Sequence, residues 1–142
     1  MILDTEITIL RQVEIPEASI QLRSDHIIHV HYKKNAVLDV SLQLSMREIF
    51  LELVDGKKLP FMFTADEGFT LTKEARENAR RLEDSSPILC NAMVAGNLAY
   101  KIIADFYVRV VKPKGLHRVF STQDGAIKWL RTFGESDAVN VS

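Results

Sequence analysis

Two histidines, His29 and His31, have the residue type and spacing that could bind a metal ion. Side chains two apart on a β-strand point to the same side of a sheet, and two imidazoles can hold Zn²⁺ when a third ligand arrives from elsewhere. No third ligand can be identified, because His26 is expected on the other face and His117 is far along the chain. The sequence therefore predicts no metal site, and we interpret the pair as part of an exposed strand face.

Polar side chains at strand ends are the second place where chemistry could occur, because ligands of parallel α/β sheets gather beyond the carboxyl ends of the strands. The candidates at such ends are Thr64, Asp66, Glu67, Asn97, Ser121, Thr122 and Asp124. Asp66 and Glu67 are the only acidic pair among them, and acid–base catalysis would need two carboxylates with separated pKa values in a cleft. Turns and helix caps account for all of these residues. We predict no catalytic residue, and a small strand-end loop site formed by Asp66, Glu67, Asn97 and Ser121.

The single cysteine, Cys90, lies among apolar residues of a strand and cannot form an internal disulfide. We interpret it as a small buried hydrophobic residue rather than a nucleophile, because no neighbouring base can be identified. The chain also has no Gly-rich phosphate loop, no nucleophile elbow and no zinc-ligand spacing. The sequence thus predicts a protein without cofactor or metal that is not an enzyme.

Length and charge limit the other functional classes. A chain of 142 residues with 46% hydrophobic residues is typical of one soluble domain. A net charge of −1 creates no field that would attract nucleic acid or an anionic membrane. The N-terminal residues have neither a basic region nor a long apolar run, and no stretch approaches the roughly 18 apolar residues of a transmembrane helix. We expect a cytoplasmic protein with no transmembrane segment and no nucleic-acid partner.

The elements that must position these residues follow an α/β pattern. Early alternating segments predict an antiparallel meander with strands at 6–15, 19–23, 27–32 and 36–40. Later apolar segments predict buried strands at 59–64, 88–94 and 116–121. Helices are predicted near 42–55, 70–84, 97–112 and 122–133, with Ser41, Thr72 and Thr122 as N-caps. The result is a mixed, partly parallel sheet with covering helices.

The third predicted helix has an unusual composition. Between residues 98 and 111 only Lys101, Asp105 and Arg109 are charged, and their i, i+4, i+8 spacing places them on one narrow stripe. A helix that is apolar nearly all round is buried by its own domain, paired with another copy, or set against an apolar ligand. We favour two-fold self-association and consider an apolar small molecule or lipid second. The predicted contact residues for either are Tyr100, Ile103, Phe106, Tyr107 and Val110.

The second predicted helix carries a basic edge formed by Lys73, Arg76, Arg80 and Arg81. A solvated helix face is its ordinary interpretation. An acidic partner protein or a lipid headgroup is the alternative.

Several segments together resemble a known family: the strand at 27–32, the strand at 59–64, the helix start at 71–76 and the ending at 119–130, which reads Val-Phe-Ser-Thr-Gln-Asp-Gly-Ala-Ile-Lys-Trp-Leu. They resemble the uncharacterised bacterial SpoIIAA-like proteins, which are similar in fold to the STAS domain of anti-sigma factor antagonists and to the lipid-carrying SEC14-type domain. The resemblance covers residues 27–133. It implies a SpoIIAA-like α/β fold with a curved mixed sheet of about five to six strands, four helices and a non-enzymatic role. We expect a single domain over 1–142, with its core at about 26–133, a strand extension at 5–23 and a frayed tail at 135–142.

One feature of the STAS switches is not matched. Those switches carry a phosphorylatable Ser or Thr, usually after an Asp, where the central strand meets the next helix. The matching segment, residues 64–72, has no such pair, and we interpret Thr70 and Thr72 as caps. The pair Asp84-Ser85 follows the helix instead of preceding it. The sequence predicts a non-catalytic STAS-like regulatory or protein-interaction module that acts as a homodimer, with a carrier or sensor of an apolar small molecule or lipid as the alternative.

Overall fold

The computed structural model describes residues 6–96 and 116–133. The strands are β1 (Ile9–Ile15), β2 (Ala18–Arg23), β3 (Ile28–Tyr32), β4 (Val37–Leu38), β5 (Leu59–Ala65), β6 (Thr70–Leu71), β7 (Ile88–Val94) and β8 (Leu116–Phe120). The helices are α1 (Val40–Val54), α2 (Lys73–Leu82) and α3 (Gln123–Arg131), with a short 3₁₀ helix at Glu83–Ser85. The predicted count of four α-helices is therefore not matched, since the described residues contain three. The helix predicted near 97–112 lies outside them.

A six-stranded mixed sheet organises the molecule, in the order β1-β2-β3-β5-β7-β8. The first three strands are antiparallel neighbours, whereas β3, β5, β7 and β8 run parallel. The alternation of strands and helices thus predicted the mixed, partly parallel α/β architecture. Among the described residues, no helix has the length and apolar character needed to cross a bilayer.

The fourth strand does not continue the meander, and this prediction was wrong. β4 leaves the main sheet and pairs in parallel with β6 as a separate two-stranded ribbon. Asn35 adopts a positive φ of 61° after β3, and its backbone N–H donates to the carbonyl of Glu67 at 3.0 Å. This turn directs the chain away from β3, and β5 takes the place beside β3 instead.

Side-chain caps set the starts of the three helices. Asp39 caps α1 by accepting a hydrogen bond from the backbone N–H of Leu42 at 2.9 Å, so the predicted cap Ser41 is wrong. Asp39 is in extended conformation and its carboxylate suits the positive end of the helix dipole. The predicted caps Thr72 and Thr122 are confirmed, each accepting a backbone N–H at 3.1 Å. α2 begins later than predicted because Thr70 and Leu71 are taken up by β6.

Two apolar clusters cover the two faces of the sheet. The first packs α1 against β2, β3 and β5, with Met46 and Phe50 from the helix and Val30 and Phe61 from the strands. The second packs α3 through Ala126 and Leu130 onto Met62, Ala92 and Cys90. Cys90 is buried, as predicted. α3 packs chiefly against β5, β7 and β8, so the part of this face formed by β1, β2 and β3 is where polar side chains lie.

Gly68 shapes the loop between β5 and β6, and replacing it with alanine should be costly. Its φ is +82°, and an added Cβ would collide with the side chain of Asn35. Gly56 has nearly the same φ, +81°, but open space around it, which makes it a matched control. We expect Gly56→Ala to lower the free energy of unfolding by about 1 kcal/mol, through backbone strain alone. Gly68→Ala should lower it by roughly a further 1–3 kcal/mol, because the added methyl group also overlaps the side chain of Asn35. Urea unfolding measures both variants, and equal losses of stability would show that the methyl group meets no obstacle at Gly68.

Candidate functional site

The predicted alternation of β3 places its two histidines together on the side of the sheet opposite α1. Ile28, Val30 and Tyr32 belong to the core cluster beneath α1, so His29 and His31 point to the other face. In the parallel pairing of β3 with β5, His31 lies directly opposite Thr64. The two histidines are half-buried rather than part of an exposed strand face, because a neighbouring strand supplies partners for their rings.

The partners form a chain of hydrogen bonds that we call the Thr64 network: His29, His31, Thr64 and Asp66. The Thr64 Oγ1 lies 2.8 Å from His29 Nε2 and 2.7 Å from His31 Nδ1. The other nitrogen of His31, Nε2, lies 3.0 Å from Asp66 Oδ1. Thr64 is 7% exposed, whereas the side chains of His31 and Asp66 are 33% and 52% exposed. The network thus runs from a buried hydroxyl to a carboxylate at the surface.

The chemistry of the four groups determines the direction of the hydrogen bonds when His31 is neutral. An ionised carboxylate only accepts, so His31 Nε2 carries the proton and Nδ1 is an acceptor. Thr64 then donates its O–H to His31 Nδ1, because Nδ1 has no proton to give. The Thr64 oxygen in turn accepts the Nε2–H of His29. The hydrogen bonds therefore all run in one direction: His29 donates to Thr64, Thr64 donates to His31, and His31 donates to Asp66.

His29 is held in its neutral form. Burial is the main cause that lowers the pKa of His29 from its ordinary 6.5 to about 4, and the neighbouring His31 and Arg23 contribute less. A neutral imidazole has one N–H, which agrees with the single bond that His29 donates to Thr64. His29 is thus a weak base at neutral pH and does not compete for the Thr64 proton.

Replacing His29 with glutamine should flatten the dependence of stability on pH between 6.5 and 4. In the native chain the unfolded state takes up a proton below pH 6.5, while the folded state does so only near pH 4. The unfolded state binds more protons in that window, so stability is fully present above pH 6.5 and falls as the pH is lowered toward 4. Glutamine has an amide donor for Thr64 but does not titrate. Urea unfolding from pH 8 to pH 4 gives the free energy of unfolding of both proteins as a function of pH. If the two plots stay parallel below pH 6.5, the prediction is contradicted.

The polar surface continues from the Thr64 network across β2 to β1. Ser19 lies opposite His31 on β2, and Glu14 lies opposite Ser19 on β1, so their side chains share one face. Hydrogen bonds from Lys33, Ser19 and Gln12 lower the pKa of Glu14 to about 2. Glu14 is therefore ionised at neutral pH, and the ammonium of Lys33 at 2.8 Å offsets its charge.

A metal ion does not fit the Thr64 network. No cluster of three or more His, Cys, Asp or Glu side chains in residues 6–96 and 116–133 is arranged to hold one. His29 and His31 both direct a nitrogen at Thr64, and Asp66 sits on the opposite side of the His31 ring. The three side chains therefore do not converge on one point.

Comparisons with known proteins identify the family. A family model described as a domain of unknown function, DUF7793, matches residues 20–134. The chain belongs to the DUF7793 family. Among solved structures, it is similar to an uncharacterised protein of the DUF3478 family with a SpoIIAA-like fold from Shewanella loihica PV-4. The TM-score is 0.53 at 14% identity, covering 87% of this chain and 93% of that one. No curated protein matches. The SpoIIAA-like resemblance read from the sequence is thus confirmed at the level of the fold.

Of the four residues predicted for the strand-end loop site of this DUF7793 chain, the structure places one, Asp66, in the Thr64 network. Glu67 is exposed, and its carboxylate lies 4.0 Å from the ammonium of Lys34. Ser121 is exposed after β8, which is separated from β5 by β7, so it lies roughly 10 Å away at the usual strand spacing. Asn97 lies outside the described residues. The predicted contact residues Tyr100, Ile103, Phe106, Tyr107 and Val110 also lie outside them.

The sequence does not indicate a connection between Thr64 and the two histidines. It presents Thr64 as one of seven polar strand-end residues and predicts an exposed face for His29 and His31. Only the pairing of β3 with β5 brings the hydroxyl between the two rings. The sequence signal that could have suggested it is a polar residue at the end of an otherwise apolar strand, set beside a strand with polar residues at alternate positions.

A second polar feature lies between the β2–β3 turn and α3. Asp25 accepts two hydrogen bonds from Arg23 at 2.9 and 3.0 Å, and Arg131 of α3 also donates to it at 2.9 Å. An open depression of about 390 Å³ next to it is lined by Arg23, Asp124, Ile127, Lys128 and Arg131. The ion pairs connect the turn to the last helix, and we assign them a structural role.

Proposed function

We propose that this chain is a non-catalytic, STAS-like regulatory or protein-interaction module that acts as a homodimer. One observation carries the proposal: residues 98–111 contain only three charged side chains, all on one predicted stripe, within a chain of SpoIIAA-like fold. Apolar surface of this extent is ordinarily covered, and a second copy of the chain is the commonest cover. The strand-end residues Asp66 and Glu67, which are exposed beyond the carboxyl end of β5, form a second, smaller recognition site.

A charge placed among the predicted contact residues should separate the dimer. We expect Phe106→Glu to raise the dissociation constant roughly 30-fold or more, because a carboxylate would be buried at the centre of an apolar contact. Lys101→Glu is the matched control: it introduces the same side chain on the charged stripe and should leave the dimer intact. Light scattering at micromolar protein, with circular dichroism to verify folding, measures the outcome. A native chain that is strictly monomeric, or a Phe106→Glu variant that stays dimeric, would contradict this interface.

The alternative is a carrier or sensor of an apolar small molecule or lipid, supported by the same apolar segment. Mass spectrometry of an organic extract of the purified protein distinguishes the two. A co-purified lipid in stoichiometric amount, lost in Phe106→Glu but retained in Lys101→Glu, would support the carrier. Repeated blank extracts from a dimeric protein would support the interaction module.

A further inference from the structure

The Thr64 network contains a hydroxyl, an imidazole and a carboxylate in sequence. Thr64 Oγ1 is 2.7 Å from one nitrogen of His31, and the other nitrogen is 3.0 Å from Asp66. Both distances fall within hydrogen-bond reach. A hydroxyl bonded to an imidazole that a carboxylate orients is the general arrangement of an activated oxygen nucleophile.

The geometry points to Thr64 as a covalent modification site whose hydroxyl takes up a small acyl group from an activated ester or thioester, with His31 as the general base and Asp66 as a positioning residue. The proposed interaction module gives Thr64 no chemistry, so this inference goes beyond it. It concerns one stoichiometric modification and needs no turnover.

The reaction balances with the groups present. The Thr64 oxygen attacks the acyl carbonyl carbon and forms a new C–O bond, while its proton moves to His31 Nδ1. The bond from the acyl carbon to the leaving oxygen or sulfur breaks, and that atom leaves with the electron pair. The proton on His31 then passes to the leaving group or to water. His31 returns to its neutral form, and the products are acyl-Thr64 and the free alcohol or thiol.

Asp66 and His29 direct this proton transfer from opposite ends. Asp66 accepts the Nε2–H of His31, which leaves Nδ1 as the acceptor facing Thr64. His29 donates its N–H to the Thr64 oxygen at 2.8 Å, so the hydroxyl proton is directed toward His31 rather than toward His29.

The surroundings limit the size of the acyl group. Thr64 is 7% exposed and has Met62 and Ala92 of the core cluster on the same face of the sheet. His31 and Asp66, which follow Thr64 in the network, are more exposed than Thr64 itself. An acetyl group suits this environment better than a long acyl chain.

The test measures acetylation of the full-length protein by 4-nitrophenyl acetate, using peptide mass spectrometry to follow each site separately. Ser121 is an internal control, because it is an exposed hydroxyl outside the network. We expect Thr64 to be acetylated roughly 100-fold faster than Ser121, and Asp66→Asn or His31→Gln to reduce the rate at Thr64 while the rate at Ser121 stays unchanged. Thr64→Ser should remain reactive, and Thr64→Val should lose the modification while it stays folded by circular dichroism. Acetylation of Thr64 no faster than of Ser121, or equally fast in Asp66→Asn, would overturn the proposal.

A separate measurement tests the positioning role of Asp66. The ¹⁵N chemical shifts of the His31 ring should show the proton on Nε2 at neutral pH in the native protein and a changed tautomer population in Asp66→Asn. A purely structural role of Asp66 would leave these shifts in place. A His31 ring that carries its proton on Nδ1 in the native protein would also overturn the proposal, because that nitrogen could not accept the Thr64 proton.

Discussion

Replacing Phe61 with alanine should lower the free energy of unfolding by roughly 3–5 kcal/mol. Phe61 lies at the centre of β5, is fully buried, and its ring packs edge-on against Phe50 of α1 at 5.0 Å between centroids. The substitution removes the apolar transfer energy of the ring and leaves a cavity that the surrounding strands can fill only in part. Urea unfolding followed by circular dichroism measures the loss as a lower midpoint.

Phe63 provides the matched control for this cavity. It lies two residues along the same strand, on the same face, and its ring is 5.9 Å from that of Phe61, but it is only partly buried. Phe63→Ala should therefore cost clearly less than Phe61→Ala. An equal or larger loss at Phe63 would show that the core beneath α1 is not centred where the structure places it.

Replacing Asp25 with alanine should lower the free energy of unfolding by roughly 3 kcal/mol, because it leaves a partly buried guanidinium without its partner. The side chains of Asp25 and Arg23 are 12% and 13% exposed, and Arg131 joins the same carboxylate from α3. Burial alone would raise the pKa of Asp25, but hydrogen bonds from Arg23 and Arg131 outweigh it and hold the pKa below its ordinary value of 3.8. The stabilisation is therefore present above pH 4 and is lost as the pH falls through the lowered pKa. The difference in stability between the native chain and Asp25→Ala should shrink in acid.

An exposed ion pair is the control for this prediction. Arg11 and Glu52 are 3.3 Å apart, with side chains 50% and 70% exposed. Glu52→Gln should change the free energy of unfolding by less than about 0.5 kcal/mol, because water screens the pair. Unfolding curves of both variants at neutral pH and at pH 3 measure the contrast. A small effect at Asp25, or one that persists undiminished at low pH, would contradict the assigned role of the carboxylate.

The local elements of the fold were predictable from the sequence. The helix predicted near 42–55 is α1, and Met46, Phe50, Leu53 and Val54 are buried at helical spacing on one face of it. Thr72 was predicted as the cap of α2 because a hydroxyl with an acidic residue in the first turn is a helix start. These signals are local, since they depend on residues within one or two turns of each other.

The start of α1 and the place of β4 were not predicted correctly. Both are set by the short segment at 37–41. Asp39 and Ser41 are both plausible caps, and the choice between them is made by the β4–β6 ribbon, which holds the chain extended as far as Leu38. The partner strand β6 comes more than 30 residues later, and nothing in the composition of the segment specifies such a distant pairing.

The candidate site likewise has a part that the sequence predicted and a part that it did not. The sequence by itself determined that His29 and His31 share a face and that Asp66 follows a buried strand, because alternation and apolar runs are encoded locally. The SpoIIAA-like fold was predicted from the resemblance to that family. Only the tertiary structure decided that Thr64 stands between the two imidazoles and that Asp25 holds two arginines from distant parts of the chain. Hydrogen bonds of this kind depend on strand register and on the docking of α3. Both result from the packing of the whole core, which minimises exposed apolar surface across many residues at once and leaves no signature in any single segment.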